Sequence, residues 1–288
     1  MQDAADPGAT RRFSRRRFLK WTAGGFASAG LLGGGYTLFE AGWIEVTRPI
    51  LPLPKLPAPF EGLTVAFLTD LHHGPWTGLE YIREIVRRTN ALAPDVILLG
   101  GDYVHQDRRY IAPCAAELAA LSAPLGVYGV LGNHDHWEGA AETQDALKAA
   151  GVTVLDNDGV WLQRDGARMR LGGLGDLWED VQNLDAALSD ATSGDACLVL
   201  SHNPDFTETL VDPRVGLLLS GHTHGGQAYV PFYGAPVVPS RYGQKYRAGF
   251  VQGPAAPVYV SRGLGAITPP LRFACRPELA LLTLRANA

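Results

Sequence analysis

The chain has 288 residues, 46% of them hydrophobic and 19% charged, with a formal net charge of -4. That length supports one sizeable globular domain with a buried core plus a tail, and the mildly acidic balance excludes nucleic-acid binding driven by bulk charge. A phosphorylated substrate stays open, because bound metals can supply positive charge in place of lysines.

The N-terminal stretch, residues 1–45, reads as an address rather than as fold. A basic run from Arg11 to Lys20 precedes an uncharged, Gly-, Ala- and Leu-rich run from Trp21 to Phe39. Within the basic run, Ser14-Arg15-Arg16-Arg17-Phe18-Leu19-Lys20 resembles the twin-arginine export signal, S-R-R-x-F-L-K, at every specified position. The resemblance implies folding in the cytoplasm, passage through the Tat machinery and a periplasmic or extracytoplasmic destination. Two fates of the signal stay open. Ala27-Ser28-Ala29 has the small-x-small form of a cleavage site, while residues 21–39 are long enough to span a bilayer and to anchor the protein in the inner membrane. Recurrent prolines at Pro49, Pro52, Pro54, Pro57 and Pro59 give residues 46–60 the composition of an extended linker, leaving 61–288 as the folded domain.

Beyond the linker, short apolar runs alternate with helical patterns. Leu63–Leu68 has the length of a buried strand and ends in Thr69-Asp70-Leu71-His72-His73-Gly74. Gly78–Asn90 reads as a helix, with Leu79, Ile82, Ile85 and Val86 on one face. Val96–Leu99 is a second strand, tipped by Gly100-Gly101-Asp102, and Ile111–Leu121 an Ala-rich helix. Gly126–Leu131 is a third strand, ending in Gly132-Asn133-His134-Asp135, and Gly139–Ala150 a further helix. Shorter strands follow at Val152–Leu155, Val160–Gln163 and Met169–Leu174, the last two joined by a hairpin-type turn at Arg164–Ala167. Asn183–Leu188 is a short helix; Ala196–Leu200 ends in Ser201-His202, and Gly216–Leu219 in Ser220-Gly221-His222-Thr223-His224. Val258–Ser261 and Leu279–Leu284 close the chain as strands. This rhythm implies a largely parallel sheet covered by helices, with functional residues beyond the carboxyl ends of the strands.

Five strand ends thus deliver Asp70, His72, Asp102, Asn133, His202, His222 and His224. All donate through oxygen or nitrogen, a set that suits Mn, Fe, Zn or Co. Seven ligands are too many for one ion and fit two, with Asp102 the natural bridge. Two such ions can clamp a phosphoryl group and acidify a water between them. In extended backbone the members of each i, i+2 pair, Asp70 with His72 and His222 with His224, face the same way. Cys114, Cys197 and Cys275 lie far from any CxxC spacing and read as small buried hydrophobes.

In order and spelling, D-x-H, G-D, G-N-H-D, a later S-H and G-H-x-H resemble the calcineurin-like metallophosphoesterase superfamily, over about residues 60 to 285. With the export signal, the chain resembles the exported YkuE/YaeI-like branch. The resemblance implies a four-layer αββα sandwich, its second sheet built from strands after residue 150. It implies one metal on Asp70, His72 and His224, a second on Asn133, His202 and His222, and Asp102 bridging. His134 would protonate the leaving oxygen and Asp135 would orient His134. The implied enzyme is a dinuclear phosphoesterase that cleaves a phosphodiester, phosphomonoester or pyrophosphate bond by attack of a hydroxide held between the metals. Its substrate would be a small molecule, lipid or cell-envelope component. Two alternatives stand beside it: a hydrolase of the UDP-2,3-diacylglucosamine pyrophosphatase kind, and a non-catalytic envelope protein that binds phosphate. His73, His105 and His136 adjoin the motifs without an implied role and read as rim residues.

Overall fold

The computed structural model describes residues 34–286; the stretch that resembles an export signal, and the apolar residues that follow it as far as residue 33, lie outside the described residues. Runs such as Val96–Leu99 and Leu217–Ser220 are buried along their whole length, as strands covered on both faces must be. The strands are β1 (Glu45–Thr47), β2 (Ile50–Leu53), β3 (Thr64–Leu68), β4 (Val96–Leu99), β5 (Val127–Gly129), β6 (Thr153–Val154), β7 (Asp158–Arg164), β8 (Ala167–Gly173), β9 (Cys197–Leu200), β10 (Leu217–Ser220), β11 (Gly249–Gln252), β12 (Pro257–Val260) and β13 (Glu278–Ala286). They form two sheets, ordered β1-β13-β3-β4-β5-β6, with β2 also on β13, and β11-β12-β10-β9-β8-β7.

Side-chain alternation along the strands divides the core into three. Val65, Phe67, Val96 and Leu98 of the first sheet meet Leu171, Leu198, Leu200, Leu217 and Leu219 of the second between the sheets. Ala66, Leu68, Ile97 and Leu99 point the other way, into helices α1 (Leu79–Ala91), α2 (Ile111–Leu118) and α3 (Asn133–Ala149). Cys197, Val199, Leu218 and Val260 pack on the opposite outer face against α4 (Leu184–Leu188), Phe206 and Tyr246. The result is the expected αββα sandwich. Within each sheet, β3-β4-β5 and β8-β9-β10-β12 run parallel, so their carboxyl ends collect along one edge.

Three expectations change. The Pro-rich stretch is not a free linker: it supplies β2, which pairs in parallel with β13, and it buries Leu51, Leu53 and Phe60 in the core between the sheets. Pro52 is tolerated because, among the described residues, β2 has β13 as its sole partner strand and so leaves one edge free of ladder bonds. The strands after residue 150 do not all enter the second sheet, since β6 and β13 join the first. The helix expected from Gly139 starts at Asn133 and is broken at Gly139, whose φ of 145° is open to glycine. The Asn133-His134-Asp135 motif is therefore itself the first turn of α3. Among the described residues no helix is long and apolar enough to cross a membrane.

Leu53→Ala is expected to destabilise the protein by about 2–5 kcal/mol, read as a shift in the urea midpoint at constant slope. A change below about 0.5 kcal/mol, normal for an exposed linker position, would contradict this placement.

Candidate metal centre

All seven expected ligands gather at the shared carboxyl edge of the two sheets. Asp70 and His72 follow β3, Asp102 follows β4, Asn133 opens α3 after β5, His202 follows β9, and His222 and His224 follow β10. Potential ligand atoms form two compact groups, one of Asp70, His72 and His224 and one of Asp102, His202 and His222, each within 4.8 Å of one another. Asn133 joins the second group through Oδ1, which lies 3.0 Å from His222 Nδ1. Asp102 Oδ2 stands between the groups, 3.4 Å from His72 Nε2 and 3.2 Å from His202 Nε2. The other oxygen, Oδ1, accepts from the backbone N–H of His134 at 2.9 Å, which leaves Oδ2 as the oxygen Asp102 would offer to cations.

The donor set fits cations. His72 Nε2 and His224 Nε2 are 2.9 Å apart. Two nitrogens that share one ion at about 2.1 Å each lie about 3.0 to 3.4 Å apart, so a cation would need to part these two rings only slightly. His202 Nδ1 donates to the Gly100 carbonyl at 2.7 Å, which turns the lone pair of Nε2 toward Asp102, and that buried Nε2 has no hydrogen-bond partner among the described residues. Burial holds the His72 and His224 imidazoles well below the usual histidine range, and pushes His222 down to about 3 with help from repulsion by His202. Neutral imidazoles are what a metal requires. Burial pushes the Asp70 carboxyl up to about 7 against the pull of His202. Burial acts the same way on Asp102, but the neighbouring His202 charge outweighs it and holds that carboxyl well below the usual range.

The expected period-two geometry does not bring the pairs together. Asp70, His72, Asp102, His222 and His224 have φ of 54°, 47°, 57°, 67° and 51°. Left-handed backbone at five ligand positions turns the chain too sharply for extended alternation and marks local strain. Close approach makes two of the motif glycines obligatory: a Cβ on Gly132 would sit 2.3 Å from Asp102 Oδ1, and one on Gly221 2.3 Å from Asp70 Oδ2.

Asp135 does not do what was expected of it. Its carboxylate accepts from the backbone N–H groups of Asp102 at 2.7 Å, Gly132 at 2.9 Å and Tyr103 at 2.8 Å, and makes no bond to His134. At the third position of α3 it also reaches back to the helix N-cap, as capping-box acids do. The nitrogen partner of His134 is His105, with Nδ1 atoms 3.1 Å apart. The sequence reading placed His105 on the rim; it is buried and packs edge-on to His72. Asp176, after β8, was missed altogether. It is buried, and its Oδ2 has no hydrogen-bond partner among the described residues. The signal was present, because Gly175-Asp176 follows an apolar strand just as Gly101-Asp102 does. At the rim, Trp178 packs edge-on to His222 and Trp137 on His134, with ring centroids 4.4 and 4.6 Å apart.

Two outer supports complete the centre. The Arg272 guanidinium is fully buried and donates to the carbonyls of Arg262, Gly263, Gly265 and Cys275. The loop it gathers holds the Asp70 backbone, through Gly265 N–H to Asp70 O at 2.6 Å. Glu40, in a helical segment at 34–41, accepts from Ala274 and Cys275 N–H, and Cys275 Sγ lies 3.3 Å from His224 O.

Residues 63–226 match the family model described as calcineurin-like phosphoesterase. The chain is 37% identical to the phosphodiesterase YaeI of Escherichia coli (strain K12), over 94% of this chain and 99% of that protein. It is 34% identical to the uncharacterized metallophosphoesterase YkuE of Bacillus subtilis (strain 168), over 96% of this chain and 99% of that protein. A crystal structure of a 5'-nucleotidase precursor from Thermus thermophilus superposes with a TM-score of 0.47 at 17% identity, covering 77% of this chain and 54% of that one.

Asp135→Asn is expected to lower stability by about 1–3 kcal/mol, because the amide NH2 must face backbone N–H donors. Metal content should fall with it. A variant that kept full stability and metal content while losing turnover would return Asp135 to a direct role on His134.

Proposed function

This chain belongs to the calcineurin-like phosphoesterase family, and we propose that it hydrolyses phosphodiesters with two bound cations, one on Asp70, His72 and His224, the other on Asn133, His202 and His222, joined through Asp102. That it is a hydrolase of the metallophosphoesterase kind follows from the family and from relatives matched over nearly their full length. The observation that carries the two-cation reading is the position of Asp102 Oδ2 within 3.4 Å of a nitrogen from each ligand group. When bound, the ions would polarise the phosphoryl oxygens and acidify water for attack on phosphorus. Manganese, iron and zinc all suit these oxygen and nitrogen donors.

The chain's own residues do the rest. Asp102 Oδ1 fixes the start of α3 by accepting the His134 N–H, which holds the His134 ring against His72 at a centroid distance of 4.7 Å. From there His134 gives a proton to the oxygen that leaves phosphorus, the task of a positioned general acid. The retained acid is also what favours an enzyme over a phosphate-binding protein. A diester is favoured over a dianionic monoester because the rim beside the ligands is aromatic, through Trp137 and Trp178. The relative from Escherichia coli carries the name phosphodiesterase.

In the same reading the protein is exported by the Tat route and works at the membrane face. Residues 21–33 are uncharged and lead into the segment at 34–41, where Tyr36, Leu38 and Phe39 are exposed near Trp43. Leu38, Trp76, Tyr81 and Pro270 line a groove of about 280 Å³ beside them. These features suit an amphiphilic or envelope substrate.

Chelator-treated protein is expected to lose hydrolysis of bis(p-nitrophenyl) phosphate and to regain it with manganese. Asp102→Asn should cost more than about 100-fold in kcat/KM, beyond the range of outer-shell changes. His222→Ala and His224→Ala should each retain one equivalent of metal, lost from different sites. Full activity after chelation, or no hydrolysis of any phosphoester by protein holding two equivalents, would overturn the assignment. Arg15→Lys with Arg16→Lys is expected to leave the protein in the cytoplasm, read by cell fractionation; unchanged export would refute the Tat route.

A further inference from the structure

We propose that His105 is the positioning residue for His134, the neutral acceptor that keeps a proton on His134 Nδ1 and aims its Nε2–H at the leaving oxygen. This rests on the reading of His134 as the acid.

Two imidazole nitrogens 3.1 Å apart are within hydrogen-bond reach, and such a contact needs an N–H on one ring and a lone pair on the other. The balance of the step decides which. As the phosphorus–oxygen bond breaks, its electron pair goes to the leaving oxygen, which takes the proton of His134 Nε2. His134 passes from imidazolium to neutral imidazole and stays neutral only if Nδ1 keeps its proton. His105 Nδ1 therefore supplies the lone pair, and its own proton sits on Nε2.

Among the described residues no carboxylate competes for the position. Both oxygens of Asp135 are taken by backbone N–H groups, and Asp102 Oδ1 accepts the main chain of His134, not its ring. His105 is itself held in place. Its backbone N–H donates to the His73 carbonyl at 3.0 Å, Val104 bridges to His73 as an isolated parallel pair, and its ring lies edge-on to His72 at 5.4 Å. The two rings are tilted by 58° with centroids 4.8 Å apart, a nitrogen-to-nitrogen approach rather than a stack. His72, His105 and His134 also come close enough to share an ion, and a ligand role for His105 is the competing explanation.

The test uses the full chain loaded with zinc and labelled with 15N-histidine. A scalar coupling across the His134–His105 hydrogen bond is expected, and should vanish in His105→Phe while two equivalents of metal remain. Aryl methyl phosphodiesters with leaving groups from p-nitrophenol to phenol supply the kinetic arm. His105→Phe should keep the p-nitrophenyl rate within about threefold and lose about 100-fold on the phenyl ester, where the leaving oxygen needs its proton. His105→Asn, whose amide oxygen offers an acceptor in the place of Nδ1, should recover most of that loss, which also guards against a folding defect in the Phe variant. Equal loss on both leaving groups, absence of the coupling, or loss of metal from His105→Phe would overturn the proposal. Inactivity of the unaltered protein on every ester would instead overturn the phosphodiesterase reading, with the coupling still reporting the contact.

Discussion

The Asp135 carboxylate ties the end of β4 to the start of α3 by accepting N–H groups from Asp102, Tyr103 and Gly132. Burial, with repulsion from Asp102, pushes this carboxyl up to about 8, so the anion is held at some expense and depends on those three donors. The bond sets where Asp102 stands. Asp102 in turn fixes His134 and lies between the two ligand groups. This one buried carboxylate thus helps determine both the spacing of the candidate ligands and the position of His134.

Around that anchor the backbone works against its own preferences. Five of the candidate ligands sit in left-handed conformations that only glycine adopts freely. Such strain persists where surrounding structure over-determines it. Here the surroundings are the Arg272 cage behind Asp70 and the Glu40–Cys275 contact behind His224. Both use buried polar groups with their hydrogen bonds made, which is the condition under which burial of charge is tolerated.

The fold and the gathering of the seven candidate residues were legible because both follow from strand ends. An apolar run followed by Gly, Asp, Asn or His is a local signal, and each of the seven ligands carries it. What sits between the motifs was harder to read. Asp135 shares a tetrapeptide with Asn133 and His134, and adjacency in sequence suggested a partnership that the helix turn prevents: its carboxylate points back to the N-cap. His105 is separated from its partner by 29 positions, and no periodicity links them. The strand β2 was hidden by proline, which usually signals extended linker but fits a strand with one partner. Left-handed ligands were invisible for a similar reason, since alternation rules assume regular backbone.

Each ligand group draws on both sheets. His224 of the second sheet joins Asp70 and His72 of the first; Asp102 and Asn133 of the first join His202 and His222 of the second. A cation in either group would therefore cross-link the two halves of the sandwich, at the edge of an interface that is mostly hydrophobic. Ion binding to the folded state alone adds about 2.7 kcal/mol of stability at a free concentration 100 times the dissociation constant. The ions needed for chemistry would then also act as staples. Metal starvation would loosen the sandwich as well as silence it, coupling the lifetime of the protein to the metal supply of its compartment.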